Sequence, residues 1–324
     1  MSHEVESNFY VGETPWHGLG VRLDNPATSE EAILAAGLNW EVGLEPVAVK
    51  GKWIDGYKAI VRNTDNRVYA IVHDRYTPIQ NKQAFEFFDS VVGTKEAIYH
   101  TAGSLKDGAR IWILAKLTSS LAIKGDQIDK YILLSSSHDA SKALQMFLTP
   151  IRVVCMNTLR MAEAGAGERF YARHTKKIGE KVDKAREILG LVNQYYVNFK
   201  EQAEFLASKQ LPPAELPKLL VAAFNTTGAI DAQGVIDFDT IGTHMKNEMA
   251  VVTNLFTNGK GNQNPAIAGT RYAAMNGISE YTDHYCKPRG KDELATKNNH
   301  LNSVWFGGGA AIKQRAWDYL INLK

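Results

Sequence analysis

Cationic and aromatic side chains are concentrated in one short segment of the chain, RFYARHTKK at 169–177. Four of them are cationic and two are aromatic: Arg169, Arg173, Lys176, Lys177, Phe170 and Tyr171. Phosphates attract cations and unpaired bases stack on flat aromatic faces, so these residue types at this spacing suit a single-stranded nucleic acid. The alternative interpretation is a solvated helix face whose lysines pair partly with glutamates at helical spacing.

The positive charge of this region is local. Residues 169–186 hold seven basic and two acidic side chains, whereas the whole chain of 324 residues carries a formal net charge of +2. Lys142, Arg152 and Arg160 lie upstream and would extend a basic surface. We therefore predict a site in which six cations contact phosphates and one of two aromatic residues stacks on a base. Its residues are Arg152, Arg160, Arg169, Arg173, Lys176, Lys177, Phe170 and Tyr171.

The remaining reactive side chains form no recognisable catalytic or metal centre. His17 has no base or nucleophile beside it in sequence, and Cys155 falls in an apolar run that is typical of a buried thiol. Four other side chains are of types that bind metal ions, but their spacing matches no zinc-binding pattern: Asp283, His284, Cys286 and His300. Phosphate-binding and dinucleotide-binding glycine motifs are missing, so we expect no cofactor. An enzyme that uses His17, Cys155 or His284 is the least favoured hypothesis.

The composition is that of a globular protein from a reducing compartment. Hydrophobic residues make up 44% of the chain and charged residues 22%, which suffices for one large domain or two smaller ones. The two cysteines are far apart and form no paired motif. The N-terminus is polar and acidic, and the chain has no long uninterrupted apolar run. We therefore predict a cytoplasmic protein without a signal peptide or a membrane span.

Short strands and two helices are predicted for the first half of the chain. Thr28 or Ser29 can cap a helix that Gly37 ends, and a second helix is expected at about 80–92. Runs rich in β-forming residues predict three strands, VAVKGKW, YKAIVRN and RVYAIVH, separated by Lys-Gly, Asp-Gly and Thr-Asp-Asn turns. Two more strands flank Lys106-Asp107-Gly108, a strong hairpin signal, and another is expected at about 130–136.

The second half is predicted to be helical. Apolar or small residues alternate at spacings of three and four along 178–206: Ile178, Val182, Ala185, Leu189, Val192, Tyr196, Phe199, Ala203 and Leu206. This seam either mediates self-association or packs in the protein's own core, and the second interpretation is favoured. Further helices are expected at 214–225, 238–256, 266–284 and 309–322. The prediction is an α+β fold, with an antiparallel sheet and helices in a domain at 1–176 and a mostly helical region at 177–324.

Three motifs resemble the phage- and plasmid-like proteins of domain-of-unknown-function family 932. They are FYVGETPWHGLGVRLDNPATSEEAI, HTAGSLKDGARIWILAKL and IRVVCMNTLRMA. The resemblance spans most of the chain. It implies a protein from a phage, prophage or plasmid, encoded near replication and recombination functions.

The order of strands, hairpin and helix in 38–160 is also similar to phage single-strand annealing proteins of the RecT, Redβ and Erf group. This resemblance implies a homo-oligomer that binds single-stranded DNA in a basic groove and anneals complementary strands without ATP. Arg152, Asn157 and Arg160 would lie near that groove. The alternative expectation is a non-catalytic protein-interaction or host-defence-modulating phage protein whose 178–206 helix docks a partner.

Overall fold

Strands occupy the N-terminal half of the protein and helices the C-terminal half, which confirms the predicted α+β class. The computed structural model describes residues 8–11, 21–92, 97–152, 170–172, 184–226, 229–231, 235–286, 290 and 293–324. Within these ranges the chain forms ten strands and eight α-helices.

Seven strands form the larger of two sheets. They are β1 (Asn8–Val11), β2 (Val21–Leu23), β6 (Ala97–Leu105), β7 (Arg110–Ile123), β8 (Asp126–Ser137), β9 (Leu144–Arg152) and β10 (Phe170–Ala172), in the order β10-β9-β8-β7-β6-β1-β2. The smaller sheet has the order β3 (Val42–Val49), β4 (Lys52–Arg62) and β5 (Val68–His73). The pairing is antiparallel as predicted, except that β1 and β2 are parallel.

Tight turns with positive φ connect the paired strands. Lys50-Gly51 joins β3 to β4, Lys106-Asp107-Gly108 joins β6 to β7, and Lys124-Gly125 joins β7 to β8. Short turns with positive φ, which glycine favours, match the right-handed twist of the flanking strands. These glycine-containing dipeptides and tripeptides therefore predict hairpin turns. The turn predicted at Asp55-Gly56 is wrong, because β4 continues through it with Gly56 at a φ of 78°.

Helices α1 (Ser29–Ala35) and α2 (Asn81–Val92) lie in the N-terminal half. The C-terminal half contains α3 (Lys184–Ser208), α4 (Glu215–Ala223), α5 (Thr243–Asn258), α6 (Arg271–Glu280), α7 (Glu293–Phe306) and α8 (Gly308–Asn322), with a π-helix at Tyr281–Tyr285. A capping box starts α1, since the Thr28 hydroxyl accepts from the Glu31 N–H and the Glu31 carboxylate accepts from the Thr28 N–H. Gly37 ends α1 with a φ of 61°, as predicted.

Helices pack on both faces of the seven-stranded sheet. Side chains alternate along each strand, so Ile111 and Ile113 belong to one apolar cluster and Trp112 and Leu114 to another. Helix α3 belongs to the first cluster. Three side chains of α7 complete the second: Leu301, Val304 and Trp305.

The apolar seam of α3 is buried in the protein's own core. Val192, Tyr196, Phe199, Ala203 and Leu206 are each at most 3% exposed. The Tyr196 hydroxyl accepts from the Tyr131 N–H at 2.9 Å and donates to the Tyr131 carbonyl at 2.7 Å, which attaches the helix to β8. The favoured interpretation of the seam is thus confirmed for 192–206. Ile178 and Val182 lie outside the described residues.

Candidate nucleic-acid interface

The predicted basic segment begins on an edge strand of the larger sheet. Strand β10 pairs antiparallel with β9, with Phe170 opposite Met146 and Ala172 opposite Leu144. Antiparallel pairing directs β10 toward the end of the sheet where β9 starts. The backbone of Phe170 and Tyr171 therefore lies in the sheet, just before Ala172, the last residue of β10.

Several loops meet at this end of the sheet, because antiparallel strands reverse direction at each turn. The β6–β7 turn, the β8–β9 connection and the end of β10 all lie here. Lys106, from the first of these, and Lys142, from the second, are both exposed. Ala172 lies opposite Leu144, two residues after Lys142, so the chain leaves β10 beside that lysine. We call this region the basic end of the sheet, defined by Lys106, Arg110, Lys142 and Ala172.

The carboxylates of Asp107 and Asp139, at the basic end, are both engaged by neighbouring groups of the protein. Asp107 forms a 2.7 Å ion pair with Arg67, and this hydrogen bond raises the pKa of the guanidinium. Burial disfavours ionisation of Asp139, but hydrogen bonds from Ser141 outweigh it and hold the pKa of Asp139 below its usual value. The charge of Lys106 acts in the same direction. Neither Lys106 nor Lys142 forms an ion pair with the described residues, and Asp139 balances part of the Lys106 charge.

A buried aromatic cluster holds the β6–β7 turn in place. The Tyr69 hydroxyl donates to the Asp107 carbonyl at 3.0 Å, and the Tyr69 ring stacks on His138 with centroids 6.0 Å apart. His138 in turn contacts Trp40 edge-on, at 5.0 Å between ring centroids. Trp40 and His138 are at most 5% exposed. These rings therefore position the loop and are not stacking platforms for bases.

Arg152 has a structural position that the sequence prediction did not anticipate. Its side chain is 0% exposed, and its Nε lies 2.5 Å from the Asp126 carboxylate. It also donates to the Lys260 carbonyl at 3.2 Å, while the Tyr272 hydroxyl donates to Asp126 at 2.9 Å. A phosphate contact by Arg152 does not fit this geometry, because its charge is enclosed where β8, β9 and α6 meet. We assign Arg152 to the core.

The structure leaves most of the other predicted site residues undescribed. Phe170 and Tyr171 have a described backbone only, and five predicted cations lie outside the described residues: Arg160, Arg169, Arg173, Lys176 and Lys177. Lys106 was predicted only as a turn residue. Its place as an exposed cation at the same end of the sheet as the last residue of β10 follows from the strand topology, which the sequence does not state.

Of the three residues of the enzyme hypothesis, the structure describes His284. His17 and Cys155 lie outside the described residues. His284 is in the π-helix, where the neighbouring Asp283 pairs with Lys313, and burial raises the pKa of the Cys286 thiol. Across the described ranges no three His, Cys, Asp or Glu side chains cluster as metal ligands would.

No helix in the described part of the chain combines the length and apolar character that a bilayer crossing needs. Comparison with curated proteins and with solved structures finds no match. A family model described as "Domain of unknown function (DUF932)" matches residues 68–305, which include the basic end of the sheet, β10 and helices α3 to α7. Because this match covers more than half of the chain, the protein belongs to the DUF932 family.

Proposed function

We propose that the protein binds single-stranded DNA at the basic end of the sheet and anneals complementary strands without ATP. In this proposal it acts as an oligomer in phage or plasmid recombination or replication, in the cytoplasm. The observation that carries the proposal is the position of β10, which contains residues 170–172 of the RFYARHTKK segment and ends where Lys106 and Lys142 are exposed.

The electrostatics of the basic end support a polyanionic ligand. Asp107 pairs with Arg67, and Asp139 is hydrogen-bonded to Ser141. Lys106 interacts with the charge of Asp139 but forms no ion pair with the described residues, and neither does Lys142. In the sequence, Arg173, Lys176 and Lys177 follow directly on β10 and add three cations. Phosphate binding of this kind depends on releasing counterions, so it is strong at low salt and falls steeply as salt rises.

Aromatic residues on an edge strand support a single strand over a duplex. Phe170 and Tyr171 are adjacent in β10, and in this proposal one of them supplies the aromatic ring on which an unpaired base stacks. Stacking on an aromatic ring contributes about 1–3 kcal/mol per base and needs no particular sequence.

Fluorescence anisotropy with a labelled oligothymidylate tests the proposal. We expect affinity to fall by orders of magnitude between about 50 and 200 mM salt. Replacing Arg169, Arg173, Lys176 and Lys177 with alanine should reduce the slope of log affinity against log salt by about 0.7 for each phosphate that the variant no longer neutralises. Lys106→Gln with Lys142→Gln should flatten the slope further.

Lys124→Gln is the matched control, because Lys124 is an exposed turn lysine with positive φ at the opposite end of the same sheet. It should leave affinity and slope unchanged. Absence of binding at low salt would exclude the proposal, and an equally large effect of the control substitution would exclude this location. A strand-annealing assay with complementary oligonucleotides and no ATP then tests the second step.

A protein-docking role for the 178–206 helix is not favoured. The 192–206 part of that seam is buried against the protein's own core, so it offers no apolar surface to a partner.

A further inference from the structure

A cleft between α1 and α2 has an apolar floor and an acidic rim. Its volume is about 480 Å³, within the range of about 300–1,000 Å³ that is usual for binding pockets. Three buried side chains line the floor: Leu38, Trp40 and Phe85. The rim has four carboxylates and one lysine: Glu30, Glu41, Glu86, Asp89 and Lys82. Leu34 lies at the mouth and is 59% exposed, so the cleft presents apolar surface and negative charge to solvent.

Two of the rim carboxylates are engaged within the protein and two are not. Lys82 lies 3.9 Å from Glu86, and Asp89 accepts from the Tyr99 hydroxyl at 2.7 Å. Glu30 and Glu41 form no ion pair with the described residues. The negative charge that remains favours a cationic ligand with an apolar part.

The β3–β4 hairpin has the complementary character at its tip. Its sequence is Lys50-Gly51-Lys52-Trp53, and Trp53 is 70% exposed. Val49, which pairs with Lys52, is 57% exposed. Tryptophan is among the residues that contribute most when buried in an interface. The tip therefore combines positive charge with an apolar group that the cleft can accept.

The hairpin tip cannot enter the cleft of its own molecule. Glu41, on the cleft rim, directly precedes β3, and the tip follows the last residue of that strand. At about 3.3 Å per residue, the eight residues of β3 separate the two by about 26 Å. Pairing with β4 along most of its length keeps β3 extended. Only the cleft of another molecule is within reach.

We propose that the protein self-associates head to tail, with the Lys50–Trp53 hairpin tip of one copy seated in the α1–α2 cleft of the next. Trp53 enters beside Leu34 and Phe85, and Lys50 and Lys52 face the rim carboxylates. Because the two surfaces differ, the contact is heterologous and repeats from copy to copy. Such contacts close into a ring or extend into a filament. This inference does not rest on DNA binding.

Sedimentation velocity without nucleic acid tests the interface over a hundredfold range of concentration up to about 0.1 mM. The wild-type protein should shift from monomer to larger species as concentration rises. A hairpin variant, Lys52→Glu with Trp53→Ala, and a cleft variant, Leu34→Lys with Glu41→Lys, should each remain monomeric. All four side chains are exposed, so both variants should keep the wild-type circular dichroism spectrum. Phe205→Ala, at an aromatic residue of α3 that is 40% exposed, is the control and should associate like wild type.

Mixing the two variants distinguishes this arrangement from other modes of association. The hairpin variant keeps an intact cleft and the cleft variant keeps an intact tip, so an equimolar mixture should form a one-to-one complex and nothing larger. A wild-type protein that stays monomeric throughout, variants that associate as wild type does, or a mixture that stays monomeric would each overturn the proposal. DNA binding by a monomer would leave the proposed DNA-binding function intact, because this experiment contains no DNA.

Discussion

At the scale of single residues, the helical half encloses an ion pair that has no contact with solvent. The Lys313 ammonium lies 2.8 Å from the Asp283 carboxylate, and both side chains are 0% exposed. Two buried charges persist only when they compensate each other and are hydrogen-bonded. The Thr282 hydroxyl adds a bond to Asp283 at 3.1 Å. The ion pair joins Lys313 of α8 to Asp283 of the π-helix, where Asp283 is buried.

We predict that Asp283→Asn lowers the free energy of unfolding by about 3–5 kcal/mol, because it leaves a buried ammonium without its counter-charge. Replacing both partners, Asp283→Leu with Lys313→Met, should cost less than the single change. Glu204→Gln is the control, since Glu204 and Lys200 are both nearly half exposed and such pairs contribute under about 1 kcal/mol. Urea unfolding measures all three variants. Equal destabilisation by Asp283→Asn and Glu204→Gln would contradict the assigned burial.

At the scale of elements, the β6–β7 turn depends on a glycine for two separate reasons. Gly108 has a φ of 88°, a conformation that L residues rarely adopt. A Cβ added there would also clash with the Tyr69 hydroxyl oxygen and would lie 3.1 Å from the Trp40 ring. Gly125, in the β7–β8 turn, has a similar φ of 86° but nothing within 4 Å of the same position. Comparing substitutions at these two glycines therefore separates the cost of backbone strain from the cost of a steric clash.

Gly125→Ala should cost about 1–2 kcal/mol, from the backbone conformation alone. Gly108→Ala should cost about 1–3 kcal/mol more, because the aromatic cluster must also shift. Displacement of the turn should in addition weaken oligonucleotide binding, since Lys106 moves with it. Chemical denaturation gives the first comparison and anisotropy the second. Similar destabilisation in both variants would mean that the contact with Tyr69 is not made.

At the scale of the whole molecule, the sheet of the N-terminal half needs helices from the C-terminal half to cover it. Helix α3 belongs to the cluster on one face and α7 completes the cluster on the other. The predicted division at residue 176 falls outside the described residues and stays a prediction. Both apolar clusters contain residues from the N-terminal and the C-terminal half. We therefore expect the two halves to fold as one cooperative unit, because separating them would expose both clusters to water.

A fragment comprising residues 1–176 should therefore bind a hydrophobic dye and unfold without a sharp transition, as partly folded states do. The full chain should unfold in one transition by the same fluorescence and circular dichroism probes. A fragment that is monomeric and unfolds cooperatively would instead support an independent N-terminal domain.

Sequence patterns predicted those elements whose signals are local. The Thr28–Glu31 capping box, the Gly37 helix end and the Lys106-Asp107-Gly108 hairpin each depend on residues a few positions apart, and each is found in the structure. Five elements were missed: β1, β2, β9, β10 and α7. Three of them, β1, β2 and β10, have only three or four residues, too few to form a clear pattern. Strand β9 contains Pro150, which argues against a strand, and α7 is rich in asparagine, a weak helix former. Contacts with β8 and with the sheet outweigh these local preferences.

What the sequence determined by itself was the α+β class, the family and the composition of the basic segment. Tertiary structure alone decided which cations face solvent. Arg152 was expected on the surface, but the β8–β9 register brings Asp126 to it from 26 residues away and encloses both. Lys106 and Lys142, far apart in sequence, meet at one end of the sheet because antiparallel strands reverse there. Exposure depends on partners that are distant along the chain, so no local pattern could have separated the buried arginine from the exposed lysines.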